Sequence, residues 1–100
     1  PSVARRGDVT VAVSTGGASP ALARKFREEL SRSRLLEYAD LAPILSDARN
    51  ELKRRGVTVD PDHWQACIDE GLLDIVQAGR TEEARELLLT SLLGGKVSSR

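Results

Sequence analysis

Val9-Thr10-Val11-Ala12-Val13-Ser14-Thr15-Gly16-Gly17-Ala18-Ser19-Pro20-Ala21-Leu22-Ala23-Arg24 is the stretch that decides the fold. Val9, Val11 and Val13 alternate with Thr10, Ala12 and Ser14, the period of two of a half-buried strand. Upstream, Ser2 to Arg5 leads through Arg6, Gly7 and Asp8, so the strand is expected to be the second arm of a hairpin turning at Gly7-Asp8. Downstream, Ser19 suits a helix N-cap, and Pro20 suits the first helical position, where a missing N–H costs nothing. Leu22, Phe26 and Leu30, with Ala23 beside them, then form an apolar stripe, and Arg24, Lys25, Arg27, Glu28 and Glu29 fall on the wet side. An isolated hairpin is marginal in water. The valine face is therefore expected to be covered by a sheet from another domain or a second subunit.

The rest of the chain reads as helical. Tyr38, Leu41, Leu45, Ala48 and Leu52 recur at steps of three and four, with Gly56 as a C-terminal stop. Pro43 complicates this helix: it fits the first turn if Asp40 is the cap, and forces an irregular start if the helix begins near Leu36, which is the expectation here. Val57 to Val59 is a connector. Asp60-Pro61 repeats the cap and first-position pair ahead of a third helix carrying Trp64, Ile68, Leu72, Ile75 and Val76 and closed by Gly79. Thr81 is expected to cap a fourth helix, with Glu82 and Glu83 in its first turn and Ala84, Leu87, Leu88 and Leu92 inward. Gly94 and Gly95 should end it, leaving Lys96 to Arg100 to fray. The fold class expected is mainly α with a short N-terminal β-hairpin (α+β), divided into a hairpin-plus-helix segment at 1–34 and a helical subdomain at 35–100.

Composition narrows the partners. Fifteen Lys plus Arg balance fifteen Asp plus Glu over 100 residues, so no net field draws the chain to nucleic acid. No apolar run approaches the ~18 residues of a membrane span, and membrane is not expected as a partner either. One Cys allows no internal disulfide, and no segment has the order of a signal peptide, which favours the cytoplasm. A chain opening at Pro1 with no Met is expected to have lost a preceding stretch.

The most informative chemistry is the turn between strand and helix. Gly16 and Gly17 permit close backbone approach, Ser14, Thr15 and Ser19 offer hydroxyls, and the helix N-terminus presents N–H groups with partial positive charge. Arg24 lies one turn in, and Arg5 and Arg6 sit on the hairpin, so a carboxylate or phosphate would find a guanidinium. The stretch lacks the G-x-x-x-x-G-K-[ST] and G-x-G-x-x-G patterns, and a tight turn with an efficient cap explains it equally well. Elsewhere, His63 and Cys67 stand at i and i+4, enough to touch one metal but too few for a structural zinc site, so a surface histidine and a buried cysteine are expected. Cys67 as a nucleophile lacks a positioned base in the sequence. Trp64 reads as a packing anchor. Lys53-Arg54-Arg55 reads as a solvated face suited to the negative end of a helix.

Val11 to Arg24, with Arg27 and Glu28 after it, resembles the signature of the precorrin-2 dehydrogenase and sirohydrochlorin ferrochelatase family, which makes sirohaem. The likeness is strong from Pro1 to Leu30 and looser through Trp64, Ala78-Gly79 and Glu82-Glu83-Ala84. It implies an enzyme oxidising precorrin-2 with NAD and inserting Fe2+ as a second substrate, with NAD bound by an amino-terminal Rossmann domain that also carries the working aspartate. By the same resemblance this chain is the dimerisation and helical segment, without catalytic, cofactor-binding or metal-ligating residues of its own and inactive alone. It would form a homodimer through the hairpin and first helix, and would receive a polycarboxylate tetrapyrrole at Ser14, Thr15, Gly16, Gly17, Ser19 and Arg24. Thr15 stands where some relatives carry a second serine. A helical interaction module without catalysis is the alternative.

Overall fold

A computed structural model describes the backbone of residues 2–98 and the side chains of residues 2–94. The chain forms two compact units, Pro1–Ala42 and Pro43–Arg100, a border eight residues beyond the one expected from the sequence.

The first unit begins with an antiparallel pair, β1 (Ser2–Arg6) and β2 (Val9–Val13), in which Arg6 faces Val9 and Ser2 faces Val13. Its two-residue turn works because Gly7 takes φ +59 while Asp8 keeps a negative φ, the II′ arrangement that matches strand twist. This register places Ser2, Ala4 and Arg6 on the same face as the three valines. Helix α1 (Pro20–Arg32) returns across that face: Ala4 and Ala23 are both buried, and Ser2, Val13 and Ala23 line one cleft. The valine face thus gains cover from its own unit, because the Gly16-Gly17 turn reverses the chain directly after β2. The opposite face, with Val3, Arg5, Thr10 and Ala12, is exposed.

The stripe expected on α1 is corrected. Ala23 and Leu30 turn inward, while Leu22 and Phe26 are 46% and 53% exposed. The small Cβ of Ala23 lets the helix approach the hairpin closely, and Arg27 and Leu30, one and two turns on, are half-buried. Ser33 ends α1 in an extended conformation, its hydroxyl and N–H both donating to the Leu30 carbonyl. A short α2 (Arg34–Glu37) and a 3-10 turn (Tyr38–Leu41) follow, burying Leu36 and Leu41. Arg6 reaches Asp40 with two bonds of 2.8 Å and staples the hairpin to that turn.

In the second unit, α3 (Ala42–Arg54) carries Pro43 in its first turn, so the irregular stretch is the lead-in Arg34–Leu41 and the helix proper is unbroken. Gly56 at φ +66 closes it: its N–H donates to Lys53, and that of Val57 to Leu52, a complete Schellman pair. Gly79 repeats the device after α5, with bonds from Gly79 to Val76 and from Arg80 to Ile75.

The single third helix expected from the sequence is two helices, α4 (Pro61–Cys67) and α5 (Glu70–Gln77). The cause is Asp69, extended at φ −130 and ψ 176, whose carboxylate accepts from the Leu72 N–H at 2.9 Å and caps a new helix. Both pack on α6 (Thr81–Ser98). The Ala84 N–H donates to the Arg80 carbonyl, so Thr81 is the first helical residue and Arg80 occupies the cap position expected for it. Ala84, Leu88 and Leu92 are buried at successive i, i+4 positions, and Leu87, expected inward, is 43% exposed. The helix passes through Gly94 and Gly95 where a stop was expected. Glycine costs only ~1 kcal/mol against alanine and keeps its N–H for the helical ladder. The expected fraying includes residues 99 and 100, which lie outside the described residues. Ile44, Ala48, Leu52, Val59, Leu72 and Leu73 complete this unit's core.

Candidate functional site

The segment Ser14 to Ser19 is held by its own side chains. Thr15 Oγ1 accepts from the Ser19 N–H at 3.1 Å and donates to the Ser19 carbonyl at 3.0 Å, and the Ala18 N–H closes back on the Thr15 carbonyl. Ser14 Oγ accepts from the Gly16 N–H at 3.3 Å, and Ser19 Oγ caps α1 by accepting from the Leu22 N–H at 3.1 Å. Gly16 and Gly17 sit at φ +64 and +84, the left-handed region where a side chain is strained. The hydroxyls that the sequence suggested for a ligand are thus committed to shaping the turn.

Main-chain donors remain. Among the described residues, the N–H groups of Gly17 and Ala21 have no hydrogen-bond partner, and they stand at the positive end of α1. Beside the turn opens a cleft of about 330 Å³ lined by Ser14, Thr15 and Gly17 together with Ser2, Val13, Pro20 and Ala23. Of the six residues singled out by sequence, five form the turn. Arg24 does not join the cleft lining; it is largely exposed and bonds Glu28 at 3.0 Å, which holds the Glu28 carboxyl below the usual carboxylate range. Arg6 is committed to Asp40, which raises its pKa. Sequence reasoning missed Ser2, Val13, Pro20 and Ala23 as cleft residues. The strand register would have placed Ser2 opposite Val13, the last residue before the turn.

His63 and Cys67 do come together, with Sγ 3.8 Å from Nε2. Nε2 lies 2.7 Å from the Ser91 carbonyl, to which it donates, tying α4 to α6. Both residues are half-buried, and burial, followed by the charge of Asp69, pushes the Cys67 thiol above its ordinary range. That favours packing over nucleophilic chemistry. Among the described residues no group of three or more His, Cys, Asp or Glu is arranged to hold a metal ion. No described helix is long and apolar enough to cross a membrane. A dinucleotide does not fit the residues described: the two strands are antiparallel neighbours, and no β-α-β crossover brings a glycine turn to a parallel sheet.

The turn lies within a stretch that matches known proteins. Residues 6–33 match the family described as sirohaem biosynthesis protein, central. The siroheme synthase of Nitrosococcus oceani is 35% identical over 99 residues, covering 97% of this chain and 21% of the relative. That of Psychromonas ingrahamii is 35% identical over 96 residues, covering 92% and 20%, and that of Pseudomonas paraeruginosa 35% over 101 residues, covering 95% and 21%. The chain spans about one fifth of the length of these curated relatives. No solved structure matches it. With β2, the turn and the first helix inside the family match and the helical unit aligned beyond it, the chain is similar over nearly its whole length to a stretch of the siroheme synthases.

Proposed function

We propose that the chain is the dimerisation and helical portion of an enzyme that oxidises precorrin-2 to sirohydrochlorin with NAD and inserts Fe2+ into the product. The observation that carries this reading is the self-braced Ser14–Ser19 turn, which leaves the Gly17 and Ala21 N–H groups unpartnered beside an open cleft. A substrate carboxylate suits those donors, since an anion at a helix N-terminus meets N–H groups and a favourable dipole together. Arg24 is 70% exposed and would exchange Glu28 for the substrate. The dinucleotide and the groups that react would come from another part of the enzyme, because nothing described here cradles a dinucleotide.

The homodimer belongs to the same proposal. Val3 on the open sheet face and Leu22 and Phe26 on α1 are exposed apolar side chains of the first unit, whose buried apolar residues, among those described, are only Ala4, Ala23, Leu36 and Leu41. A second copy covering them would remove that surface from water. A purely structural interaction module is the second reading, favoured by the commitment of all three turn hydroxyls to local bonds.

One titration separates the two. Uroporphyrin III, an octacarboxylate, is added to the 15N-labelled chain. Saturable shifts centred on the Gly17 and Ala21 amides support the substrate pocket, whereas a folded dimer without saturable shifts leaves the module reading. Light scattering should report about twice 10.9 kDa. A soluble monomer refutes the dimer.

A further inference from the structure

Within the second unit, α3 and α4 border an open groove of about 610 Å³. Leu45, Val59, Trp64 and Ile68 give it apolar lining, and Arg49 is the single charged residue among the described residues that line it. The other described arginines of this unit are engaged: Arg54 and Arg55 bond Glu51, Arg80 pairs with Glu83, and Arg85 bonds Asp47 and Glu82. Arg49 makes no ion pair among the described residues, so the groove carries an uncompensated positive charge beside a half-buried indole.

We infer that this groove binds a small planar aromatic carboxylate, with its ring against Trp64 and its carboxylate on the Arg49 guanidinium. Each part of the ligand meets its complement. Offset stacking on an indole favours a flat ring, and the planar guanidinium fork favours a carboxylate over a neutral group. The volume lies within the ~300–1,000 Å³ range of small-molecule sites. An acidic peptide would need further cations along its path, and the groove has one. This site is separate from the Ser14–Ser19 turn and does not depend on what that turn binds.

The test uses 2-naphthoate and its neutral amide, 2-naphthamide, on the full 100-residue chain. The indole N–H resonance of Trp64, the only tryptophan, is the reporter. Saturable movement of that resonance with 2-naphthoate is expected. Arg49→Gln should weaken naphthoate at least tenfold and leave naphthamide unchanged, while Trp64→Leu, followed through backbone amides of α3 and α4, should weaken both. Arg49 is exposed, so its variant keeps the fold, as circular dichroism would verify. No saturable movement at millimolar naphthoate, or equal binding by Arg49→Gln, overturns the inference. So does a concentration-dependent shift of Trp64 without ligand, which would assign the groove to a second copy.

Discussion

Replacing Thr15 by Val tests whether the turn is a self-braced scaffold. Valine keeps the β-branched shape and removes only the hydroxyl, which accepts from the Ser19 N–H at 3.1 Å and donates to the Ser19 carbonyl at 3.0 Å. Each such bond contributes about 0.5–1.5 kcal/mol net. Thr15 is half-buried, so water recovers part of the loss, and the expected cost is about 1–2 kcal/mol for the pair. That is a factor of about 5–30 in the local opening equilibrium. The assay is native-state hydrogen exchange at Ser19, Leu22 and Ala23, whose N–H groups bond Thr15 Oγ1, Ser19 Oγ and the Ser19 carbonyl. Thr15→Val should speed exchange at all three by that factor, while amides of α5 and α6 stay unchanged. Thr15→Ser keeps the hydroxyl and should fall within about threefold of wild type. Unchanged exchange in Thr15→Val, or equal loss in Thr15→Ser, refutes the reasoning. This also bears on function: uroporphyrin III binding that falls in Thr15→Val in step with the exchange rates would mean the hydroxyl acts through backbone shape, not through direct contact.

Leu88→Ala, at a site 1% exposed, should destabilise the second unit by about 2–5 kcal/mol in urea titrations followed by Trp64 emission, and a loss below about 1 kcal/mol would contradict the core assignment. Asp69→Ala should cost about 0.5–2 kcal/mol, with faster exchange at Leu72, whose N–H it caps. Cys67 should react with iodoacetamide at pH 8 more slowly than free glutathione, since burial and Asp69 hold its thiol protonated; a faster reaction would show a basic environment that the structure lacks. The carboxyls of Glu28, Glu29 and Glu51 are held below their ordinary range mainly by bonds to Arg24, Arg32 and Arg55. Their contribution is present above the unfolded carboxylate pKa of about 4.3 and is lost as pH falls through the lowered folded values. Helical circular dichroism should therefore decline as pH drops below that point, and a flat signal there would show these exposed pairs contribute nothing measurable.

What the sequence disclosed well was whatever a few adjacent residues decide. The Gly7 turn, the Ser19 and Asp60 caps and the Gly56 and Gly79 stops each follow from local bonds or from a φ that only glycine adopts readily. The errors arise where two local signals compete or where a partner element decides. Ile68 continued an apolar period that made one helix of two, yet Asp69 followed by Glu70 is itself a helix start. Leu22 and Phe26 looked like a buried stripe because periodicity weighs large side chains above Ala23. Packing inverted that weight, since a close helix-to-hairpin contact needs the smallest residue.

The turn shows the same division at the level of chemistry. Ser14, Thr15 and Ser19 were singled out for their hydroxyls, and the structure brings all three together, but each oxygen is already bonded to main chain. Residue type and spacing identify the groups that are able to bind, while only the fold decides which of them have capacity left over. Here the remaining capacity belongs to N–H groups of Gly17 and Ala21, which no side-chain motif reports. A binding role for this turn therefore predicts tolerance to changes that keep its backbone and intolerance at Gly17. Its φ of +84 resists any side chain, although nothing lies within 4 Å of where a Cβ would sit. Gly17→Ala should lose uroporphyrin III binding through backbone strain alone, with Gly16→Asn far milder, because asparagine tolerates the left-handed conformation. Equal binding by Gly17→Ala and the wild type would remove the turn from the proposed pocket.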